Sequence, residues 1–509
     1  MDNASLYARL ETAFSRAADS TAFETSLGLR MTYGEVLSDV SRMSNALQDL
    51  GVEPGDRVMV QVHKSIANVA LYLATLKIGA VFNPLNTAYT AAELDYFISD
   101  AEPKLLVVDP GLAPERIAIA EARGVPHCLT LAADGTGSLR DKVEAATTDV
   151  RPTVLRVEDD LAALLYTSGT TGRSKGAMIT HRNLVSNAET LVEVWQFKGG
   201  DTLLHALPIF HVHGLFVALN TAFLTATKII WLDKFDVAEV MAQLPAATVM
   251  MGVPTFYTRL LAEPSFGQAQ TSSMRLFIAG SAPLLAETHD TFADKTGHRI
   301  LERYGMTEAG MITSNPYKMT GRIAGSVGYA LPGVSVRIQD PDGAAVVPGD
   351  VGVLEVRGPN VFGGYWRMPE KTAEEFRDDG YFISGDMATI DEDGRVTIVG
   401  RAKDLIITGG YNVYPKEIEQ ELNDLDGVAE SAVIGVPHSD FGEAVVAVVT
   451  PEADTASVDT DAVLSQLAGR LAKFKLPKRI VVAEDLPRNA MGKVQKNVLR
   501  DTLKDVLQT

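Results

Sequence analysis

At 509 residues the chain exceeds what a single hydrophobic core supports, so at least two domains are expected. Its 46% apolar and 22% charged content is that of a soluble globular protein. The net charge of -19 argues against a nucleic-acid binder, which shows a basic face. Cys128 is the single cysteine, which excludes an intrachain disulfide and a cysteine-rich metal site. It is read as a small half-buried side chain rather than a nucleophile.

No run reaches about 18 uninterrupted apolar residues, and the candidate from Val69 to Phe82 is broken by Lys77. The N-terminus carries Asp2, Glu11 and Asp19 and lacks the basic start and apolar core of a signal peptide. A cytoplasmic protein is expected.

Arg57–Val62 reads as a strand, Ser65–Ile78 as an apolar helix and Lys104–Asp109 as a strand ended by Pro110. Strands alternating with helices over the first 160 residues predict parallel sheets covered on both faces. The rhythm returns from Asp201 to Gly305, with strands expected at Lys228–Leu232, Ala247–Gly252 and Met274–Ala279. After Gly325, short alternating runs at Val334–Gln339, Gly352–Gly358 and Arg395–Val399 predict a β-rich subdomain. Beyond Gly400, helices at Tyr414–Leu425 and Asp459–Ala472 flank strands at Glu430–Val436 and Ala444–Thr450. The fold class is therefore α/β. A large N-terminal domain of layered α/β sheets plus a β-rich subdomain (1–400) precedes a small α+β C-terminal domain (401–509).

Four segments carry chemistry. The first is Tyr166-Thr-Ser-Gly-Thr-Thr-Gly-Arg-Ser-Lys-Gly176, in which glycines let the backbone approach a polyanion. Its hydroxyls and N–H groups donate to phosphate oxygens, and Lys175 adds a point charge. It is not a P-loop, because Ser174 rather than glycine precedes the lysine. The second is Arg303-Tyr-Gly-Met-Thr-Glu308, where a carboxylate near phosphate calls for a bridging magnesium ion. The third gathers Ser384-Gly-Asp386, Gly400-Arg-Ala-Lys-Asp404 and Gly409-Gly-Tyr-Asn412, with Asp386 suited to a ribose and Arg401 to reinforcing it. The fourth, Leu486-Pro-Arg-Asn-Ala-Met-Gly-Lys493, places a lysine where it can neutralise developing phosphate charge. Singly, each also reads as an ordinary loop, surface acid or solvated lysine; the combination carries the weight.

In this order and spacing, over roughly residues 25–500, these segments resemble the adenylate-forming superfamily of acyl-CoA synthetases, peptide-synthetase adenylation domains and beetle luciferases. The resemblance implies ATP, Mg2+ and coenzyme A as ligands. It implies that Thr167, Ser168, Gly169, Thr170, Thr171, Gly172 and Lys175 hold phosphate, and that Gly280, Ser281, Ala282, Pro283 and Tyr304 flank adenine, Tyr304 by stacking. Thr307 and Glu308 match the phosphate and magnesium residues, Asp386 and Arg401 the ribose pair, and Lys493 the adenylating lysine. Lys403 matches the hinge of a mobile C-terminal domain, and Gly409 and Gly410 the pantetheine tunnel. The same resemblance implies an acetyltransferase and deacetylase acting on Lys493.

Among acyl-CoA synthetases, the malonyl-CoA synthetases are most similar, through His205-Ala-Leu-Pro-Ile-Phe-His-Val-His-Gly214, Met251-Gly-Val-Pro-Thr-Phe-Tyr257, Leu301-Glu-Arg-Tyr-Gly-Met306 and Leu471-Ala-Lys-Phe-Lys-Leu-Pro477. A dicarboxylate keeps a second charge that must be paired when buried, and arginine pairs it best. Arg303 is the expected partner, where members taking uncharged tails usually carry a small residue, with His211 and His213 shaping or gating the pocket. The other reading of Arg303 is a salt bridge to Glu302 or Glu308. Ala309 and Ile312 depart from the malonate pattern, in which polar residues follow Thr-Glu. That leaves methylmalonate or another short-chain acid as alternatives. A carrier-loading adenylation domain, a light-emitting oxygenase and an inactive nucleotide-binding regulator are the competing classes. The absence of a carrier-like segment after Lys493 favours a free-standing ligase.

Overall fold

The structure is a computed structural model that describes residues 3–167, 174–340, 343–408, 411–438, 441–452, 458–489 and 492–507. It is an α/β protein with layered sheets and a small C-terminal unit.

One six-stranded sheet runs in the order His127–Thr130, Leu105–Val108, Arg57–Gln61, Val81–Pro84, Leu161–Thr167, Lys175–Thr180. Its pairs are parallel except the last, which is antiparallel. A nine-stranded sheet centres on parallel Lys228–Trp231, Thr202–His205, Val249–Gly252, Leu276–Ala279 and Leu301–Met306. Antiparallel strands close both its edges. Thr202–His205, Val249–Gly252 and Leu276–Ala279 among them are buried throughout, as expected where helices cover both faces.

Helix Ile66–Lys77 shows why the sequence signals were readable. Ser65 caps it by accepting the Asn68 N–H at 3.1 Å, and nearly every side chain is buried. Lys77, the residue that breaks the apolar run, is buried as well. Its ammonium is held by Glu11 at 3.1 Å and Thr153 at 3.3 Å. No described helix is long and apolar enough to cross a membrane.

Four antiparallel strands, Ser335–Gln339, Gly352–Arg357, Phe382–Ile390 and Val396–Arg401, form the expected β-rich subdomain. In the C-terminal unit, Val428–His438 and Gly442–Pro451 pair over most of their length and are longer than expected. Gly435, Pro437 and Glu443 had masked their alternation. Helix Thr460–Ala468 stops at Gly469, short of the expected Ala472. The unit has its own core of Ile406, Ile418, Leu422, Val433, Val445 and Leu467.

His181 ties the first helix to the rest of the fold. It is fully buried at the start of helix His181–Val194, and its Nδ1 accepts the Leu6 N–H at 3.2 Å. Burial, then Arg156, pushes its pKa down to about 4. Unfolded histidine titrates near 6.5, so between about 6.5 and 4 the unfolded state binds the extra proton and stability falls as pH falls. Thermal or denaturant unfolding across that window should show this loss. His181→Asn should make the slope shallower by up to about 1.4 kcal/mol per pH unit.

Candidate active site

The antiparallel pair Leu161–Thr167 and Lys175–Thr180 brackets the glycine- and hydroxyl-rich loop, and Thr167 lies opposite Lys175 in register. Ser168, Gly169, Thr170, Thr171 and Gly172 lie outside the described residues. The Lys175 ammonium sits 2.8 Å from Glu375 and 4.0 Å from the centre of the Tyr365 ring. Tyr365 donates its hydroxyl towards Glu375 at 2.7 Å and Glu308 at 3.2 Å. A phenol has one proton, so the shorter contact takes it. Burial raises the Glu308 pKa, partly opposed by Tyr365 and Lys175. Burial also opposes ionisation of Glu375, but Lys175 and Tyr365 outweigh it and the net shift is downward.

Glu308 is thus a buried carboxylate near Lys175, the residue that follows the glycine- and hydroxyl-rich segment, and a divalent cation would relieve its burial. Among the described residues no group of three or more His, Cys, Asp or Glu forms a protein-only cage. This fits magnesium, which uses one or two carboxylates and takes its remaining ligands from phosphate and water. Thr307 precedes Glu308 in the same turn, half-buried.

Strand Leu301–Met306 carries Tyr304 towards the β-rich subdomain, where its hydroxyl donates to Asp386. Asp386 and Arg401 face each other across paired strands, with Arg401 Nε 2.6 Å from Asp386 Oδ1. Ser384 Oγ accepts the Asp386 N–H at 3.1 Å. Sequence reasoning anticipated the Asp386–Arg401 pair but not the direct bond from Tyr304, which spans 82 residues.

On the opposite side of the strand lies Arg303, 3% exposed. Its Nε and Nη2 are buried without a protein partner, and among the described residues no carboxylate lies within ion-pair distance. The salt bridge to Glu302 or Glu308 is not formed: Glu302 accepts the Gly325 N–H at 3.1 Å and Glu308 meets Tyr365. Burial pushes the Arg303 pKa down to about 9, which leaves it charged at neutral pH.

Around Arg303 gather His211, His213 and Tyr257. Burial, then Arg303, brings His211 down to about 4 and holds His213 well below its ordinary value, so both rings are neutral. His213 Nδ1 meets Ser281 Oγ at 3.1 Å while its Nε2 is buried without a partner. Ser281 holds φ +72, a left-handed conformation that non-glycine residues adopt at a cost and that clusters at functional sites. The chain turns sharply at His213, which opens a π-helical segment to Leu219. At Gly214 a β-carbon would lie 2.0 Å from the Pro208 carbonyl oxygen. Ala282 and Pro283 continue the turn from Ser281 towards solvent. Ala309 and Ile312 are fully buried in the main core.

From the C-terminal unit, Lys493 arrives on a tight turn. Its N–H donates to Asn489 Oδ1 at 3.0 Å, and its carbonyl accepts the Asn489 N–H at 3.0 Å. Gly492 takes φ +74, where a β-carbon would lie 3.2 Å from Thr255 Oγ1. Protein crowds the Lys493 ammonium yet solvent still reaches the side chain. Desolvation and then Arg401 lower its pKa, opposed by Asp386 and Asp404. Lys403, in the connecting 402–404 turn, is depressed by burial beside Asp404 and Arg401. Gly409 and Gly410 lie outside the described residues, between Ile406–Thr408 and Tyr411–Val413. Sequence reasoning missed Tyr365 and Glu375, whose only signal is the run Gly364-Tyr-Trp366 with acids nine and ten residues beyond the tyrosine.

The AMP-binding enzyme profile matches residues 10–366, and the profile of the AMP-binding enzyme C-terminal domain matches 417–493. A feruloyl-CoA synthase of Amycolatopsis sp is 38% identical, covering 93% of this chain and 94% of the relative. A malonate–CoA ligase of Arabidopsis thaliana is 34% identical, covering 98% and 90%. The ATP-bound crystal structure of MatB from Rhodopseudomonas palustris is 55% identical, covers 99% of this chain and 100% of its own, and superposes with a TM-score of 0.96. Its apo form, also 55% identical with the same coverage, gives 0.85.

Gly280 gives the Arg303 side chain its seat: a β-carbon there would lie 2.4–2.7 Å from three guanidinium atoms. Gly280→Ala should therefore displace the guanidinium by about an ångström or more and destabilise the fold by about 1–3 kcal/mol. A crystal structure and unfolding curve of the variant check both; an unmoved Arg303 would contradict the tight seat.

Proposed function

The chain belongs to the AMP-binding enzyme family and is an AMP-forming acyl-CoA ligase, and we propose that it converts malonate, with methylmalonate as an alternative, and coenzyme A to malonyl-CoA, AMP and pyrophosphate. The observation that carries this choice is Arg303, a buried guanidinium with no acidic partner among the described residues. A buried unpaired charge is costly, so such a site is best occupied by an anionic group of the ligand. Neutral His213, with Nε2 buried and unpartnered beside Arg303 and Nδ1 held by Ser281, adds a directional partner. A feruloyl or long-chain tail would leave the guanidinium unpaired.

In the mechanism we propose, the substrate carboxylate attacks the α-phosphorus of ATP and the bond to the β,γ-diphosphate breaks, giving acyl-AMP and pyrophosphate. The coenzyme A thiol, losing its proton, then attacks the acyl carbonyl and AMP leaves. Thr167 to Gly172 and Lys175 hold the phosphates, and Thr307 contributes its hydroxyl. Glu308 would hold the Mg2+, which neutralises phosphate charge. Asp386, braced by Arg401, receives the ribose hydroxyls, while Tyr304 and the Gly280–Pro283 turn flank the adenine. Lys493 reaches the reacting carboxylate and α-phosphate. Catalysis is then positioning and charge neutralisation, with no protein nucleophile. We place the division between the units at Gly400 and Arg401, the hinge at Lys403 and the pantetheine path beside Gly409 and Gly410. Cytoplasmic location and enzymatic acetylation of Lys493 belong to the same proposal.

Arg303→Leu should lower malonate activity by about 100- to 4000-fold, since an unpaired buried carboxylate costs about 3–5 kcal/mol and about 1.4 kcal/mol is tenfold. Activity on butyrate, which lacks the second charge, should fall little or rise. Parallel loss on both acids with a lowered melting temperature would make Arg303 merely structural.

Lys493→Ala should cripple acid-dependent ATP–pyrophosphate exchange while sparing thioester formation from supplied acyl-AMP. Chemical acetylation of Lys493 removes the same charge and should reproduce the alanine variant. Equal loss in both half-reactions would overturn the role given to Lys493.

A further inference from the structure

Lys416 leaves its own unit. It lies in the first turn of helix Pro415–Asn423, whose Ile418 and Leu422 pack into the C-terminal core. Its ammonium nevertheless donates to the main-chain carbonyl of Ile398, on the Val396–Arg401 strand of the β-rich subdomain. A lysine at a helix N-terminus is disfavoured by the helix dipole, so its burial there needs a compensating partner.

The acids around it narrow the choice. Glu302, Glu419 and the like charge of Lys496 act on Lys416, in that order. Glu419 is already engaged, pairing with Lys496 at 2.6 Å and accepting the Val433 N–H at 2.7 Å. Glu302 remains. It is 6% exposed on strand Leu301–Met306 and accepts one N–H from Gly325 at 3.1 Å; burial pushes its pKa up to about 8, opposed in part by that N–H and then by the nearby charge of Lys416. Burial disfavours charge on both groups, and each eases the other. A neighbouring contact lies at the same junction: the Gly492 turn lies against Thr255 of helix Pro254–Leu261.

We propose that Lys416 is a positioning residue for acyl-adenylate formation: set on the Ile398 carbonyl and opposite Glu302, it holds the C-terminal unit where Lys493 meets Asp386 and Arg401. This rests on the role given to Lys493 above. Lys416 touches neither nucleotide nor acid in this scheme; it acts through the placement of Lys493. An arrangement that parts the units must take the Lys416 ammonium off the Ile398 carbonyl and its charge away from Glu302, so these contacts favour the arrangement described here.

The test compares half-reactions. Lys416→Met and Glu302→Gln are assayed for malonate-dependent ATP–pyrophosphate exchange and for thioester formation from supplied malonyl-AMP and coenzyme A. The expected result is an exchange rate lowered roughly tenfold or more, as for loss of a charged hydrogen bond, with thioester formation within about twofold of wild type. The readout is the ratio of the two rates, from which any unfolded fraction cancels. Lys416→Arg, which keeps the charge and the donor, should restore most of the exchange. An unchanged ratio in Lys416→Met, or no recovery in Lys416→Arg, overturns the proposal. Failure of the functional reading looks different: wild-type enzyme would then show no exchange with malonate, and the ratio would be measured with the acid it does accept.

Discussion

A charge buried in protein must be answered by another charge or by hydrogen bonds, and strand Leu301–Met306 carries several groups that make this demand. Glu302 and Tyr304 face the β-rich subdomain and the C-terminal unit; Arg303 faces the opposite way, among His211, His213 and Tyr257. On the first side the demand is answered within the protein: the Gly325 N–H and Lys416 offset part of the burial that raises Glu302, and Asp386 accepts the Tyr304 hydroxyl. On the second it is not met by any described residue. That asymmetry is the ground on which we propose the Arg303 side as the ligand site and the Glu302 side as a junction.

The phosphate side obeys the same rule with a different solution. Lys175 is not left waiting for an anion; Glu375 neutralises it, and Tyr365 links Glu375 to Glu308. A polyphosphate would therefore exchange one anion for another at Lys175 rather than approach a bare cation. The net attraction is smaller, but the lysine is held in place before the ligand arrives. The overall charge of -19 would repel an anionic substrate at long range, so short-range groups such as Arg303, Lys175 and Lys493 must supply the attraction.

Most of the architecture was legible because the local signals agreed with one another. Ser65 before an apolar run marked a capped helix, and continuous apolar runs such as Leu105–Val108 marked strands buried on both faces. Boundaries shifted where glycine or proline interrupts a strand that pairing sustains, as at Pro437 and Gly442. Of the site, the groups brought together by a single hairpin were readable: Asp386 and Arg401 pair in register across one turn of chain. Tyr365, Glu375 and Lys416 were not, because their partners Glu308, Lys175 and Ile398 come from other elements. A lone tyrosine, acid or lysine in sequence carries no sign of what it will face.

The alternation of the strand has a mechanical consequence. Glu302 and Arg303 share one peptide unit, and pairing of Glu302 with Ala279 and of Arg303 with Ser314 fixes both in register. A shift of that strand large enough to reseat Arg303 on a different acid would also move Glu302 relative to Lys416. A one-residue slip would exchange the two faces altogether. Selectivity is therefore best altered by side chains that meet Arg303 from elsewhere, such as the turn at Gly280 and Ser281 or the His211–His213 segment, which leave the junction untouched. The strand itself serves two sites at once, and that double service restricts what it can carry.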